Sequence, residues 1–363
     1  MPSITLNQVR KSYGDIKAAD GLELEVLDGE YLCILGPTGS GKTTLLRLVC
    51  GLTLPDSGEV FLDGKDITRW EPEDRGAVML SQTYSLFPHM TVAENVLFGP
   101  DLRGMPEADQ RHLLADMLDI VRLSSRADAL PKELSGGMMQ RTALARALAS
   151  GTEILLLDEP LRALDARLRI NLRHELRSLA KTLGLTTIHV THDQEEALVM
   201  ADRIAVLRHG RIVQVGTPGE IFDNPISPFV ANFVGQSNFF TGKVESKAGN
   251  TTVRLPDGRA VHARPCQFPI GQEVVVGIKV GNTDISKEEA GPLQGRIERI
   301  LFEGKFLFID VQVPGVGLIS SKVPSWRMGK LGVGDDVNVR WAWEKATVFP
   351  MPANGLAEEL RVD

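Results

Sequence analysis

The amino-acid sequence predicts an α/β domain built on a largely parallel sheet. Up to about Gly235, short apolar runs alternate with longer helical patterns, as in 31–35 followed by 43–50. Such alternation is typical of βα units whose strands lie side by side in one parallel sheet. We therefore expect residues 1–235 to form one α/β domain.

A second, all-β domain is predicted for residues 236–363. From Phe239 onward, apolar and polar residues alternate with a period of two between turn signals, for example over 252–261 and 336–343. This pattern indicates a small barrel. The segment 224–238 is rich in chain breakers and is the expected linker.

Composition and charge exclude several classes of protein. The net charge of −7 argues against a general nucleic-acid surface, which needs clustered lysine and arginine. The N-terminal residues lack the basic and apolar regions of a signal peptide, and no apolar run reaches the roughly 18 residues of a membrane span. Cys33, Cys50 and Cys266 form no CxxC pair and are expected to be reduced core residues. We expect a cytoplasmic chain that can act at a membrane only peripherally.

A glycine-rich loop follows the apolar run at 31–35. Its form is GxxxxGK followed by Thr, and it opens a helix, so backbone N–H groups and the helix dipole converge there on phosphate. Lys42 is expected to reach the β- and γ-phosphates, and the Thr43 hydroxyl to ligate Mg²⁺. The candidate ATP-binding residues of this loop are Gly36, Pro37, Thr38, Gly39, Ser40, Gly41, Lys42, Thr43 and Thr44.

Two acidic residues follow a second apolar run. Residues 154–157 are continuously apolar and predict a central strand buried on both faces. Asp158 and Glu159 then stand at its C-terminal end, where open α/β sheets bind their ligands. Asp158 is expected to hold Mg²⁺, directly or through water. Glu159 is expected to orient and deprotonate the attacking water.

A histidine follows a third short run, at 186–190. His192 is expected at the end of this strand, beside the same site and able to hydrogen-bond the γ-phosphate. Asp193 and Glu196 predict a capping box that opens the next helix. His189 is interpreted as structural.

A second helix N-terminus suited to an anion begins at Ser135, Gly136 and Gly137. One chain does not need two phosphate cradles for one ATP. The economical hypothesis is that this cradle closes on the γ-phosphate held by a second copy, so that ATP lies between two subunits. The alternative is a capped helix start without a ligand.

These motifs, in this order, resemble those of the ATP-binding subunits of ABC transporters, specifically the importer type with a C-terminal OB-like (TOBE) regulatory domain. The resemblance covers nearly the whole chain and is most specific over 1–235. It implies a P-loop NTPase fold of ABC type with a helical subdomain, followed by an all-β OB-like barrel. It also implies a homodimer with ATP sandwiched at its interface.

The resemblance implies roles for individual residues. Tyr13 matches the aromatic that stacks on adenine. Gln82 matches the glutamine that touches Mg²⁺ and the lytic water and senses the membrane partner. His192 matches the switch histidine, and Asp165 lies in the loop that crosses the dimer interface. The signature that closes on ATP is matched by Ser135, Gly136 and Gly137.

The resemblance also points to a partner site and to departures from the family pattern. In the family, the segment after Gln82 receives a helix of the membrane-spanning permease; here Leu86, Phe87 and Met90 either form that patch or join the core. Arg162 replaces a small residue that often packs against the opposite subunit. The other departures are Met138 and Met139 in the signature helix and 277–281 in the β domain.

The leading hypothesis is an ATPase whose dimer closes on ATP, hydrolyses it and reopens, and so powers import through a separate permease. An extracytoplasmic solute-binding protein and the permease would select the cargo. The alternative is an ABC-type ATPase that acts on nucleic acid or translation. Such chains commonly carry a long coiled-coil insertion or tandem ATPase units, and neither occurs here. A ligand-binding role of the β domain could coexist with transport.

Overall fold

A computed structural model describes residues 2–81, 84–162 and 166–361. The described chain forms two compact units, which divide between Gly219 and Glu220. No helix in these ranges is both long and apolar enough to cross a membrane.

The first unit contains two sheets and most of the helices. Its strands are β1 Ile4–Tyr13, β2 Ile16–Val26, β3 Tyr31–Leu35, β4 Ser57–Leu62, β5 Lys65–Asp66, β6 Ala77–Leu80, β7 Ile154–Asp158, β8 Thr186–Thr191, β9 Arg203–Arg208 and β10 Arg211–Gly216. Its helices are α1 Lys42–Val49, α2 Val92–Leu102, α3 Glu107–Ile120, α4 Gly136–Ala149, α5 Ala166–Thr182 and α6 Gln194–Met200, and α7 Pro218–Asp223 spans the division.

The central sheet has the largely parallel form that the sequence predicts. Six strands lie in the order β10-β9-β3-β8-β7-β6, and only the β9–β10 pair is antiparallel. The three runs at 31–35, 154–157 and 186–190 became β3, β7 and β8, all fully buried. Because these strands are parallel, their C-terminal ends bring the glycine-rich loop, Asp158 and His192 to one edge of the sheet.

A second, antiparallel sheet with the order β2-β1-β4-β5 shares a core with the central sheet. Helix α1 lies in that core, where Leu45 and Leu46 are completely buried. Helices α2, α3 and α4 pack against one another as the predicted helical subdomain.

Arg75 anchors the C-terminal end of α1. Its guanidinium is buried, and its N–H groups donate to the carbonyl oxygens of Leu48 and Val49 at 2.9 and 3.0 Å. The same guanidinium donates to the carbonyls of Thr68 and Trp70 at 3.0–3.1 Å. A positive charge at this end also complements the helix dipole.

The second unit is β-rich, as predicted. It contains α8 Pro228–Val234, β11 Ser237–Ser246, β12 Thr251–Arg254, β13 Ala260–Ala263, β14 Glu273–Lys279, β15 Asp284–Ser286, β16 Leu293–Glu303, β17 Phe306–Val313, β18 Gly317–Pro324, β19 Asp336–Arg340, β20 Ala346–Pro350 and α9 Leu356–Glu359. Two five-stranded sheets, β13-β12-β11-β14-β20 and β15-β19-β16-β17-β18, share one apolar core, consistent with an OB-like domain.

The segment expected to be a linker is folded. Ser227 caps α8 by accepting a hydrogen bond from the Val230 N–H, and Pro228 occupies the first helical turn. Ala231 packs with Val275 and Phe349 of the second unit. The sequence interpretation of 224–238 as linker was therefore wrong for α8, because Ser and Pro here start a buried helix. The domain boundary at residue 236 itself stays a prediction.

Candidate functional site

The glycine-rich loop has the backbone that a phosphate cradle needs. Gly41 has a φ of 105°, and a Cβ at this position would lie 2.0 Å from the Ala18 carbonyl oxygen. Gly39 has a φ of 80°, again in the left-handed region that favours glycine. Helix α1 begins directly after the loop, at Lys42, so the loop ends at a helix N-terminus as expected.

Two polar side chains of the loop are available to phosphate. The Lys42 ammonium is buried and donates to the carbonyl oxygens of Gly36 and Pro37 at 2.9 and 2.8 Å. Burial lowers its pKa, and the carboxylates of Glu159 and Asp158 oppose that shift. Within the described residues, the buried Ser40 hydroxyl has no hydrogen-bond partner. The loop therefore holds one cation and one unused hydroxyl where a polyanion would supply acceptors.

Thr43 and Asp158 come together at this edge of the sheet. The Thr43 hydroxyl donates to both carboxylate oxygens of Asp158, at 3.0 and 3.2 Å. Burial raises the pKa of the Asp158 carboxyl, while the Thr43 hydrogen bond opposes the shift. A hydroxyl and a carboxylate side by side are oxygen donors of the kind that Mg²⁺ prefers.

Glu159 lies beside them with both carboxylate oxygens engaged. Its Oε2 accepts from Arg162 Nη1 at 2.8 Å, and its Oε1 lies 3.2 Å from His192 Nδ1. The Glu159 side chain is only 10% exposed. Glu159 also adopts a φ of 48°, which is unusual for a residue other than glycine. The sequence predicted that His192 would lie beside the same site as Glu159; it indicated neither their direct contact nor the bond to Arg162.

The loop that carries His192 differs in one detail from expectation. Asp193 caps α6 by accepting from the Glu196 N–H at 3.1 Å, as predicted. The Glu196 carboxylate, however, accepts from the Thr191 hydroxyl at 2.7 Å, so the expected capping box is only half formed. His189 is structural: it is fully buried, and its Nδ1 lies 2.9 Å from the Tyr31 hydroxyl.

The second predicted anion cradle is an exposed helix start. The Ser135 hydroxyl accepts from the Met138 N–H at 3.3 Å and caps α4, which begins at Gly136. A Cβ added to Gly136 would meet no atom within 4 Å. The N-terminus of this 14-residue helix is therefore open to an outside ligand.

The remaining site predictions concern Tyr13, Gln82 and Asp165. The Tyr13 ring is 46% exposed at the end of β1, where a planar base can reach it. Gln82 and Asp165 lie outside the described residues.

The apolar residues after Gln82 are half-buried. Phe87 packs against Phe98 with 4.4 Å between the ring centroids and the rings tilted by 45°, and Leu86 and Met90 are partly exposed. Asn95, fully buried, holds this segment: its side chain pairs with both the N–H and the carbonyl of Phe87 and donates to the Met90 carbonyl.

Comparisons with known proteins agree with this geometry. A family profile described as ABC transporter matches residues 19–162. The chain is 40% identical to the "Spermidine/putrescine import ATP-binding protein PotA" of Thermobifida fusca, over 96% of this chain and 94% of that protein. It is 47% identical to the "Sulfate/thiosulfate import ATP-binding protein CysA 2" of Chromobacterium violaceum, over 87% of this chain and 86% of that protein.

A solved structure shows the same fold for the first unit. It is a dimeric ATP-binding cassette in a post-hydrolysis state, bound to ADP and Pi, with 31% identity and a TM-score of 0.54. It covers 59% of this chain and 98% of its own. These comparisons give no support to a role on nucleic acid.

The family has a well-defined activity. Its cassettes bind ATP, and the ATP-binding subunits of ABC import systems hydrolyse it. Import ATPases work as dimers with membrane permease subunits. With relatives that align along nearly its whole length, an ABC profile match and a cassette fold, the chain belongs to the ATP-binding proteins of ABC import systems.

Proposed function

We propose that this chain binds Mg²⁺-ATP at the glycine-rich loop and hydrolyses it to power the import of a solute. The observation that carries the proposal is the pairing of the Thr43 hydroxyl with the Asp158 carboxylate, beside the Lys42 ammonium and Glu159. A cation, a pair of oxygen donors and a carboxylate base are the parts that phosphoryl transfer to water requires.

Thr43, Asp158 and Gln82 would hold Mg²⁺. When bound, Mg²⁺ neutralises charge on the phosphate oxygens. The Thr43–Asp158 hydrogen bond supports this assignment, because it shows that both oxygen donors reach one point. If the Thr43 hydroxyl turned its hydrogen away from Asp158, the Thr43 oxygen and the Asp158 carboxylate would both be available to the ion.

Lys42 would bind the β- and γ-phosphates by exchanging its two carbonyl partners for phosphate oxygens. Ser40 and the N–H groups of the loop would bind the same phosphates, and Tyr13 would stack on adenine. Glu159 would accept a proton from the attacking water, an action worth about 10²–10⁴ in rate. His192, 3.2 Å from Glu159, would orient that carboxylate and hydrogen-bond the γ-phosphate.

The open N-terminus of α4 supports a dimer with ATP between the copies. Ser135, Gly136 and Gly137 of one copy would close on the γ-phosphate bound by the other, and Asp165 would lie at that interface. Loss of γ-phosphate contacts after hydrolysis would then reopen the dimer.

We also propose where the chain acts. It would work on the cytoplasmic face of the membrane, peripherally, with Leu86, Phe87 and Met90 contacting a permease helix. An extracytoplasmic solute-binding protein would deliver the cargo. The relatives are named for spermidine/putrescine and for sulfate/thiosulfate, which fits selection of the cargo by other subunits of the system.

The test compares turnover and oligomeric state of the purified full chain with those of Glu159→Gln, both with Mg²⁺ and ATP. We expect the variant to lose turnover by about 10²–10⁴ and to accumulate as an ATP-dependent dimer. Glu153→Gln is the matched control, because Glu153 is exposed and lies just before β7, at the opposite end from Glu159. A monomeric Glu159→Gln that hydrolyses ATP at the wild-type rate would overturn the proposal.

A further inference from the structure

The carboxylate of Glu159 has one close side-chain neighbour on each oxygen. Arg162 Nη1 donates to Oε2 at 2.8 Å, and His192 Nδ1 lies 3.2 Å from Oε1. An ionised carboxylate has about four acceptor sites, so the Arg162 bond takes one site on Oε2 and fixes the direction in which this oxygen points, without filling the group. Beside this group lies a cavity of about 60 Å³, lined by Glu159, Arg162, Arg169, Thr191, His192, Asp193 and Glu196.

The backbone favours the contact between Glu159 and Arg162. The Arg162 N–H donates to the Glu159 carbonyl at 3.3 Å, and the Glu159 N–H donates to the Val190 carbonyl at 3.0 Å. A tight turn thus starts at a residue with a φ of 48°, which is itself tied to β8. This turn brings the two side chains, three residues apart, to the same place.

The contact is also easily broken. The Arg162 side chain is 63% exposed, whereas Glu159 is 10% exposed. Ion pairs with an exposed partner are weak, because water replaces them at little cost. The pair can therefore restrain Glu159 in one state of the protein and release it in another.

We propose that Arg162 is a latch on Glu159: it restrains the base while the dimer is open, so the latch must be broken for the dimer to close on ATP, and basal ATP hydrolysis stays low. The latch rests on the proposed role of Glu159. Arg162 acts through Glu159 and is a positioning residue. Release would accompany closure of the dimer, when the turn that carries Arg162 meets new neighbours. A small residue at this position has no side chain able to form such a latch.

An alternative action of Arg162 gives a different kinetic result. Its positive charge lies near enough to lower the pKa of Lys42, so the guanidinium could instead contact a phosphate. In that case removal of Arg162 would raise KM for ATP and lower kcat. A latch predicts the opposite pattern, with kcat raised and KM unchanged.

The experiment measures steady-state ATP hydrolysis by the purified full chain without its permease, for wild type, Arg162→Ser and Arg162→Lys. We expect Arg162→Ser to raise kcat by about two- to fivefold, the range of an exposed ion pair, with KM within twofold of wild type. Arg162→Lys keeps the charge and should stay near the wild-type kcat. Arg167→Ser removes an exposed arginine from α5 and controls for a general change in charge.

Two results separate failure of the latch from failure of the proposed base. If Glu159→Gln retains wild-type turnover, the base assignment fails. If Glu159→Gln is inactive but Arg162→Ser leaves kcat unchanged or lower, the latch fails and the base stands. A gain from Arg162→Ser that persists in a Glu159→Gln background would also overturn the latch, because the effect would then bypass Glu159.

Discussion

Removal of the Arg75 guanidinium should destabilise the first unit strongly, although Arg75 lies outside the ATP site. The group donates five hydrogen bonds to four backbone carbonyls, two of which close the C-terminal end of α1. Burial lowers the pKa of this arginine, and the charges of Cys50 and Glu71 oppose the shift, although no carboxylate of the described residues lies within ion-pair distance of it. In the described chain, backbone oxygens accept all five of its hydrogen bonds and are the main groups that offset its desolvation.

The magnitude is set by these bonds. A hydrogen bond to a charged group contributes about 1.5–3 kcal/mol, and a buried group left without a partner costs about 1–3 kcal/mol. Arg75→Met leaves four carbonyls without this donor, but it also removes the cost of burying a charged guanidinium. We expect a net loss of about 4 kcal/mol in the free energy of unfolding.

The assay is urea unfolding of the full chain, followed by far-UV circular dichroism, because most of the helices lie in the first unit. Arg69→Met is the matched control, since Arg69 is exposed in the same loop. Nucleotide affinity should fall in parallel, because α1 carries Lys42 and Thr43. A loss below about 1 kcal/mol for Arg75→Met would refute the reasoning that these backbone bonds hold α1 in place.

Two further variants test other parts of the molecule. Lys42→Ala removes two charge-assisted bonds to phosphate and should weaken ATP binding by about 100-fold or more; fluorescence anisotropy with labelled ATP measures this, and an affinity within threefold of wild type would contradict it. Burial lowers the pKa of Lys279 to about 8, although the negative charge of Asp223 opposes this shift. The Lys279 ammonium lies 4.0 Å from the ring centroid of Phe222 and has no hydrogen-bond partner in the described chain. Between pH 8 and pH 10 the folded state loses this proton before the unfolded state does, so stability should rise with pH by about 1–3 kcal/mol relative to Lys279→Met. Urea unfolding is read in a Trp70→Phe background, in which Trp326, Trp341 and Trp343 of the second unit are the fluorophores. An equal pH dependence of the free energy of unfolding in the two proteins would contradict this prediction.

Much of the site was predictable because its motifs combine local geometry with strong patterning. Continuous apolar runs became the buried strands β3 and β7, a short run with a buried pattern became β8, and parallel strands bring the residues after their C-terminal ends to one edge of the sheet. For the same reason the encounter of Thr43 with Asp158 could be expected from residues far apart in the chain.

The parts that were not predicted depend on partners without a sequence signature. Arg75 bonds to backbone carbonyls, which every residue carries, so nothing marks them in advance. Helix α8 was interpreted as linker because Pro228 is a chain breaker, yet Pro is also favoured in the first turn of a helix. The bond between Arg162 and Glu159 depends on a turn with an unusual φ at Glu159. In each case tertiary contacts decided between local alternatives.

The central claim is that ATP lies between two copies, where it contacts Lys42 of one copy and Gly136 of the other. Gly136→Asp places a negative charge in the second cradle, where a Cβ meets no atom within 4 Å, so the fold should be kept. Lys42→Ala and Gly136→Asp should each be inactive alone. Mixed in equal amounts, they form heterodimers with one intact site, and turnover should return to about a quarter of the wild-type rate if copies pair at random. Turnover no higher than the sum of the two inactive variants would contradict the claim, because it would show that Lys42 and Gly136 are needed in the same chain.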